Sequence, residues 1–331
     1  MSGAAYNIYY CQSRLVLRLT SLVRRRILAA SDSREFCMRL VTFSDEKGTR
    51  IGVHDPASGT IVDLSTGTRL PRAMTEFIAL GRNGLARARR AVRSSEGRIP
   101  ASGVKLLAPI PRPAKNVLCV GKNYHDHAKE FQGSGVDATG KEVVPEVPIL
   151  FTKWPNSVIG PGEPIPSGND YTNSTDYEGE LGVVIGDSGR NIPRKDAFDH
   201  VYGYTIINDV SARTLQNRHR QWFLGKSLDG FCPMGPCILT ADEVKDVGRM
   251  HLTTRVNGEL RQDALVSQLI FDIPTLIETI SRVMLLEPGD LIATGTCAGV
   301  GIGFDPPKYL TKGDTVAITI DPIGTLENPV G

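Results

Sequence analysis

The chain has 331 residues, of which 40% are hydrophobic and 22% charged, a globular composition with ample length for a core. No apolar run approaches the ~18 residues that cross a bilayer as a helix, and the six cysteines (Cys11, Cys37, Cys119, Cys232, Cys237 and Cys297) form no C-x-x-C pair, so neither a zinc site nor a dense disulfide framework is indicated and an intracellular, reducing home is expected. The formal charge of +2 hides an uneven distribution, +4 over residues 1–38 and −2 over the remainder, so the body of the chain has no basic excess to attract nucleic acid.

Residues 1–37 contain no acid before Asp32. On a helical period Arg14, Arg18, Ser21 and Arg25 share one face, and Val16, Leu19, Val23 and Ile27 lie opposite. An Arg-rich, acid-poor amphipathic start reads either as a mitochondrial transit peptide or as a dispensable extension, since Met38 would itself open a sensible first strand. The expected location is therefore cytoplasmic, or mitochondrial if the segment is a true targeting sequence.

From Met38 to about Pro111 the pattern predicts a small α/β domain. Short strands at Leu40–Phe43, Arg50–Val53 and Thr60–Val62 precede a helical stretch from Arg72 to Arg93. Three prolines in "LLAPIPRPAKN" mark a linker, so the expected boundaries are residues 1–37, 38–111 and 112–331. Beyond it come the strand "NVLCVG", the segment "KNYHDHAKEF" and a Gly-rich, charged loop from Gln132 to Val147 that reads as a lid. Asn257-Gly258 between two polar-apolar runs predicts a hairpin. "FDIPTLIETISRVMLL" predicts the one well-formed amphipathic helix of the second half. Strands dominate without regular βαβ spacing, which disfavours a doubly wound sheet and points to an α+β, β-rich fold.

Two carboxylates head an apolar strand in "DYEGELGVVIG". Residues i and i+2 of a strand share one face ~7 Å apart, so Glu178 and Glu180 project together while Tyr177, Gly179 and Leu181 face away. Two buried like charges repel, and a hard dication that takes carboxylate oxygens removes the conflict. Asp209, at the end of the apolar strand "YGYTIIN", is a candidate third ligand. The alternatives are solvated edge acids and a helix-capping aspartate. Arg213 and Gln216 follow Asp209 at +4 and +7, one helical face, and Lys226 sits in the apolar, glycine-rich "WFLGKSLDGF". Together they suit an anionic, oxygen-rich substrate. His127 and Glu130, spaced i,i+3, form a candidate general-base pair. The rival reading of His125, His127 and Glu130 as cupin-type metal ligands has too short a gap before the acid.

Six segments taken together, "GKNYHDHAKE", "FTKWPNSVIGPG", "DYEGELGVVIG", "GYTIINDVSARTLQ", "GKSLDGFCPMGP" and "GDLIATGTCAGVG", resemble the fumarylacetoacetate hydrolase family and occur in its order. The resemblance implies a β-rich catalytic fold of mixed, layered sheets in a roll, a homodimer, and Mg²⁺ or Mn²⁺ as cofactor. It implies that Glu178, Glu180 and Asp209 are metal ligands, that His127, Glu130 and Lys226 are catalytic, and that Arg213, Gln216 and Thr296 bind substrate. Thr214 and Cys297 depart from the family's pattern, which commonly has Asp and Pro there. The implied reaction is cleavage of a C–C bond in a small 2-oxo or 1,3-dicarbonyl acid, by acylpyruvate or fumarylpyruvate hydrolysis or by oxaloacetate decarboxylation. The alternatives are an isomerase of an unsaturated dioate on the same fold and an idle binding protein. Neither nucleic acid nor membrane is an expected partner.

Overall fold

A computed structural model describes residues 37–66, 69–94, 97–133 and 144–331. The amphipathic reading of residues 14–27 and the central part of the expected lid lie outside them. Met38–Gly331 forms one compact unit.

Buried central runs in β1 (Arg39–Asp45), β2 (Gly48–Asp55) and β3 (Thr60–Asp63) pair as an antiparallel meander. The helical stretch expected over 72–93 is two helices, α1 (Met74–Ile78) and α2 (Gly81–Arg93). The break falls at Gly81, whose φ of 51° lies in the left-handed region that interrupts a helix. β4 (Arg98–Pro100) returns to β3, and β5 (Lys105–Leu107) returns to β1 from within the proline-rich stretch.

The second part of the chain opens with β6 (Val117–Gly121), α3 (His125–Gly133), β7 (Ile149–Lys153), β8 (Val158–Ile159) and β9 (Thr175–Asp176). The long strands β10 (Gly179–Ile185) and β11 (Val201–Asn208) are buried at every position. β12 (Ser211–Ala212), α4 (Arg213–Arg218), α5 (Phe223–Lys226) and β13 (Cys232–Thr240) follow. β14 (His251–Val256) and β15 (Glu259–Leu265) meet at Asn257-Gly258, whose φ values of 51° and 82° are both positive, as a tight two-residue hairpin turn needs. Asp272 caps α6 (Ile273–Ser281) by accepting a 2.9 Å bond from the Thr275 amide, and that helix buries Ile273, Leu276, Ile277 and Ile280. Each such side chain contributes about 1.5–3 kcal/mol. β16 (Leu291–Thr296), β17 (Thr315–Asp321) and β18 (Gly324–Pro329) complete the chain.

Twelve strands form one mixed sheet in the order β4-β3-β2-β1-β13-β11-β10-β16-β6-β7, with β5 beside β1 and β8 beside β13. The N-terminal meander is thus continuous with the strands of the later part of the chain, through Arg39 opposite Leu239 and Leu40 opposite Ile238. A second sheet, β15-β14-β17-β18, covers one face of β10, β11 and β13. This second layer explains why β10 can be dry on both sides: the Gly179 side meets Thr254 and Ile318, and the opposite side is the site.

Candidate active site

The head of β10 behaves as its period requires. Glu178 lies just before the strand and Glu180 within it, and both point to one face. Asp209 follows β11 directly, and its amide donates to the Glu178 carbonyl at 2.8 Å, which brings the third acid to the first two. Ligand oxygens of Glu178, Glu180 and Asp209 all lie within 4.8 Å of one another, and all three residues are buried.

Two lysines and an arginine are folded onto this cluster. The Lys226 ammonium donates to Glu178 Oε2 at 2.8 Å and to Asp209 Oδ2 at 2.9 Å. Arg213 donates from Nη1 to Glu178 Oε1 at 2.6 Å and to Gln216 Oε1 at 3.3 Å, and from Nε to Asp176 Oδ2 at 2.8 Å. Lys153, at the end of β7, donates to Asp209 Oδ1 at 2.6 Å, to the Val210 carbonyl at 2.9 Å and to the Lys226 carbonyl. The cluster therefore holds four carboxylates, Asp176, Glu178, Glu180 and Asp209, against three cations, Lys153, Arg213 and Lys226.

The imbalance falls on Glu180. Burial drives Glu178 up, but Lys226, Arg213 and His127 together outweigh it and hold that carboxyl at about 2. Glu180 forms no ion pair among the described residues, and Oε2 accepts a single 2.8 Å bond from the Gly295 amide. Burial, then the charges of Asp209 and Glu178, push its pKa well above the ordinary carboxylate range. Burial alone would lower Lys226, yet Asp209 and Glu178 outweigh it and keep the ammonium charged.

His127 stands on α3 with Nδ1 3.1 Å from Glu130 Oε2. His127, Glu178, Gln216, Lys226, Thr296, Lys122, Val120, Gly121, Phe151 and Trp222 line one narrow cleft. Trp222 meets Phe151 edge-on at 5.2 Å, and Lys226 Nζ lies 5.0 Å from the Phe151 ring centre, so the polar groups face an apolar wall. The structure thus gathers His127, Glu178, Gln216, Lys226 and Thr296 around one space. Glu130, Glu180, Asp209 and Arg213 stand directly behind them. Thr296 lines the cleft, but its hydroxyl donates to the Gly179 carbonyl at 2.9 Å and accepts from Gln262 Nε2 at 2.7 Å. It has no proton left in this arrangement for a substrate carboxylate.

Sequence reasoning missed three residues here. Asp176 stands two before Glu178, so the alternation that pairs Glu178 with Glu180 also covers it. Lys153 is the lone charge in the apolar strand "ILFTK", a signal of a paired interior ion. Gln262 gave no signal, because its role is set by a strand of the other sheet.

Glu180 is the one acid of the metal-ligand set with no ion pair among the described residues, so its ionised form would be an unpaired buried charge, which is costly. A hard divalent cation would fit the all-oxygen donor set of Glu178, Glu180 and Asp209 and would supply the positive charge that ionised Glu180 lacks.

Comparison with known proteins shows the family. Residues 116–331 match the family model described as fumarylacetoacetate (FAA) hydrolase C-terminal. The chain is 56% identical over 230 residues to the oxaloacetate tautomerase YisK of Bacillus subtilis (strain 168), covering 70% of this chain and 74% of that one. It is 40% identical over 329 residues to the mitochondrial oxaloacetate tautomerase fahd2 of Xenopus laevis, covering 96% and 99%. Among solved structures, the maleylpyruvate hydrolase of Sphingobium sp. SYK-6, in complex with manganese(II) and pyruvate, superposes with a TM-score of 0.70 at 33% identity, covering 88% of this chain and 98% of that one. Fold, site and relatives agree that this chain is an enzyme of the fumarylacetoacetate hydrolase family.

Proposed function

We propose that the chain is a divalent-metal-dependent enzyme acting on a small 2-oxo or 1,3-dicarbonyl acid. The observation that carries this reading is the buried set Glu178, Glu180 and Asp209, in which Glu180 alone has no cationic partner among the described residues. Mg²⁺ or Mn²⁺ held there would bind carboxylate and keto oxygens and supply an electron sink for charge building on the ketone.

The chain's own groups then have separable tasks. Lys226 and Arg213 present fixed positive charge, and Gln216 an amide, to an anionic substrate in a water-poor cleft. Glu130 holds Nδ1 of His127, so Nε2 is the nitrogen that exchanges a proton. In C–C bond hydrolysis of an acylpyruvate or fumarylpyruvate, that nitrogen takes the proton of an attacking water. In oxaloacetate decarboxylation it would protonate the enolate carbon left behind when CO₂ departs. The second reading is keto–enol tautomerisation or a related isomerisation. It needs only proton transfer at His127, and the two relatives named as oxaloacetate tautomerases favour it.

A panel of 2-oxo acids assayed with Mg²⁺ and with Mn²⁺ separates these readings. Release of pyruvate or CO₂ marks cleavage, whereas loss of enol absorbance without either marks tautomerisation. Tight binding of Mg²⁺ and oxalate with no turnover of any member would leave only a binding protein.

We propose a homodimer as well. β7 is an edge strand of the large sheet, and the exposed Trp154 and Phe223 rings, 6.1 Å apart, lie beside it with Leu224. Light scattering reporting a monomer would remove this reading. A chain beginning at Met38 should keep its activity, and mitochondrial import of a reporter fused to residues 1–37 would decide their role. No helix among the described residues is long and apolar enough to cross a membrane.

A further inference from the structure

The residue between Asp176 and Glu178 points away from the cluster, and the reading above assigns it nothing. Tyr177 is fully buried, and its hydroxyl donates to the Gly299 carbonyl at 2.8 Å. Arg261 Nη1 donates to the same hydroxyl at 3.3 Å, so the phenol proton is directed at Gly299. The amide of that same Gly299 donates to Glu130 Oε1 at 3.0 Å, and Glu130 Oε2 lies 3.1 Å from His127 Nδ1.

The loop between Gly299 and Gly303 is shaped to receive Glu130. Gly299 has φ of 104°, and a Cβ there would lie 1.8 Å from the Arg261 carbonyl oxygen. A Cβ at Gly303 would lie 2.0 Å from Glu130 Oε1. Asp176 pins the middle of the loop by accepting from the Gly301 amide at 2.7 Å and from the Ile302 amide at 3.0 Å. Three consecutive residues therefore serve two ends of the site. Asp176 and Tyr177 hold the loop, and Glu178 belongs to the acidic set.

We infer that Tyr177 is a positioning residue for the His127–Glu130 pair, acting through Gly299. With the Gly299 carbonyl fixed on one side, its amide is presented to Glu130 on the other. Glu130 is thereby held by two donors, and the His127 ring keeps its orientation toward the cleft. A tyrosine that merely filled the space between the two sheets would not be coupled to Glu130. The inference rests on the proposed roles of His127 and Glu130, and the test separates the two.

Tyr177→Phe in the full chain removes one oxygen and keeps the ring. Turnover should fall about tenfold, the effect of one hydrogen bond, with Mg²⁺ affinity unchanged and the melting temperature lowered by no more than about 2–4 °C. Amide exchange over α3 and residues 299–303 should quicken. In a Glu130→Ala background the same substitution should cost no further turnover, because the latch then holds nothing. An equal loss in both backgrounds, or unchanged exchange and turnover in Tyr177→Phe, overturns the inference. If Glu130→Ala and His127→Ala keep full turnover while Tyr177→Phe still quickens exchange, the catalytic reading of the pair fails and the latch stands. Should Tyr177→Phe fold poorly, Arg261→Gln should show the same dependence on Glu130 with a loss of about two- to threefold, and an additive loss there overturns the inference equally.

Discussion

Two buried charge clusters can be compared within this molecule. In the N-terminal meander, Arg50 is gripped by Asp45, through Nη1 at 2.6 Å and Nη2 at 2.7 Å, and by Asp63, through Nε at 2.6 Å. Asp63 Oδ1 also takes the Ser65 amide at 2.8 Å and the Ser65 hydroxyl at 2.6 Å, so each acid there has several donors. In the candidate metal cluster, by contrast, Glu180 has one backbone donor and no cation among the described residues. Both clusters bury charge, but only one leaves a carboxylate waiting for a partner. A structural ion cluster closes its own hydrogen bonds, and a ligand site leaves one set open.

The largest expected effect tests that difference directly. Glu178→Ala, Glu180→Ala and Asp209→Ala should each lower turnover by about three orders of magnitude or more, since the lost metal is worth several kcal/mol at the transition state. Each should also weaken Mg²⁺ binding while preserving the fold. Calorimetry giving the wild-type Mg²⁺ affinity in all three would dissolve the contrast between the clusters.

His127→Ala comes next, with a loss of about 10²–10⁴-fold in acylpyruvate hydrolysis, where a base must activate water. Decarboxylation of oxaloacetate needs no attacking water and should suffer less, whereas Lys226→Ala should depress both reactions alike. Equal losses in the His127 variant, with α3 still protected from exchange, would remove the water-activating role.

Arg50→Met should act on stability instead. It strands Asp45 and Asp63 and should cost about 3–5 kcal/mol in denaturant unfolding, with turnover of the remaining folded enzyme within about twofold of wild type. A drop in turnover with stability intact would tie the meander to the site.

The smallest effect is one of pH, and the two clusters should slope in opposite directions. Burial raises Asp63, but Ser65 and Arg50 outweigh it and lower its pKa, so its contribution to stability is present above the ordinary carboxyl range and is lost as pH falls through the lowered value. Glu180 is raised, so in the metal-free protein its contribution is present below the ordinary carboxyl range and is lost as pH rises toward the raised value. Mg²⁺ must displace that proton, so its affinity should climb over the same window with release of up to one proton per ion. Titration in buffers of different ionisation heat measures this release, and Glu180→Gln should abolish it. Proton release unchanged in that variant would assign the proton elsewhere.

Much of the site was legible in local pattern. The two-residue period put Glu178 and Glu180 on one face, and the helical period put Arg213 beside Gln216 at 3.3 Å and His127 beside Glu130 at 3.1 Å. Asn257-Gly258 marked its turn through the backbone angles those residues tolerate. Such facts depend on neighbours along the chain, so the sequence alone determined them. Tertiary structure decided what crosses long distances. Lys153 reaches Asp209 from 56 residues away, and β1 joins the catalytic sheet through β13. Gln262, supplied by the covering sheet, takes the Thr296 hydroxyl that the sequence alone offers to substrate. The physical reason is that strand pairing and burial are settled by which surfaces exclude water together, and a side chain's hydrogen bonds follow from that choice rather than from its position in a motif.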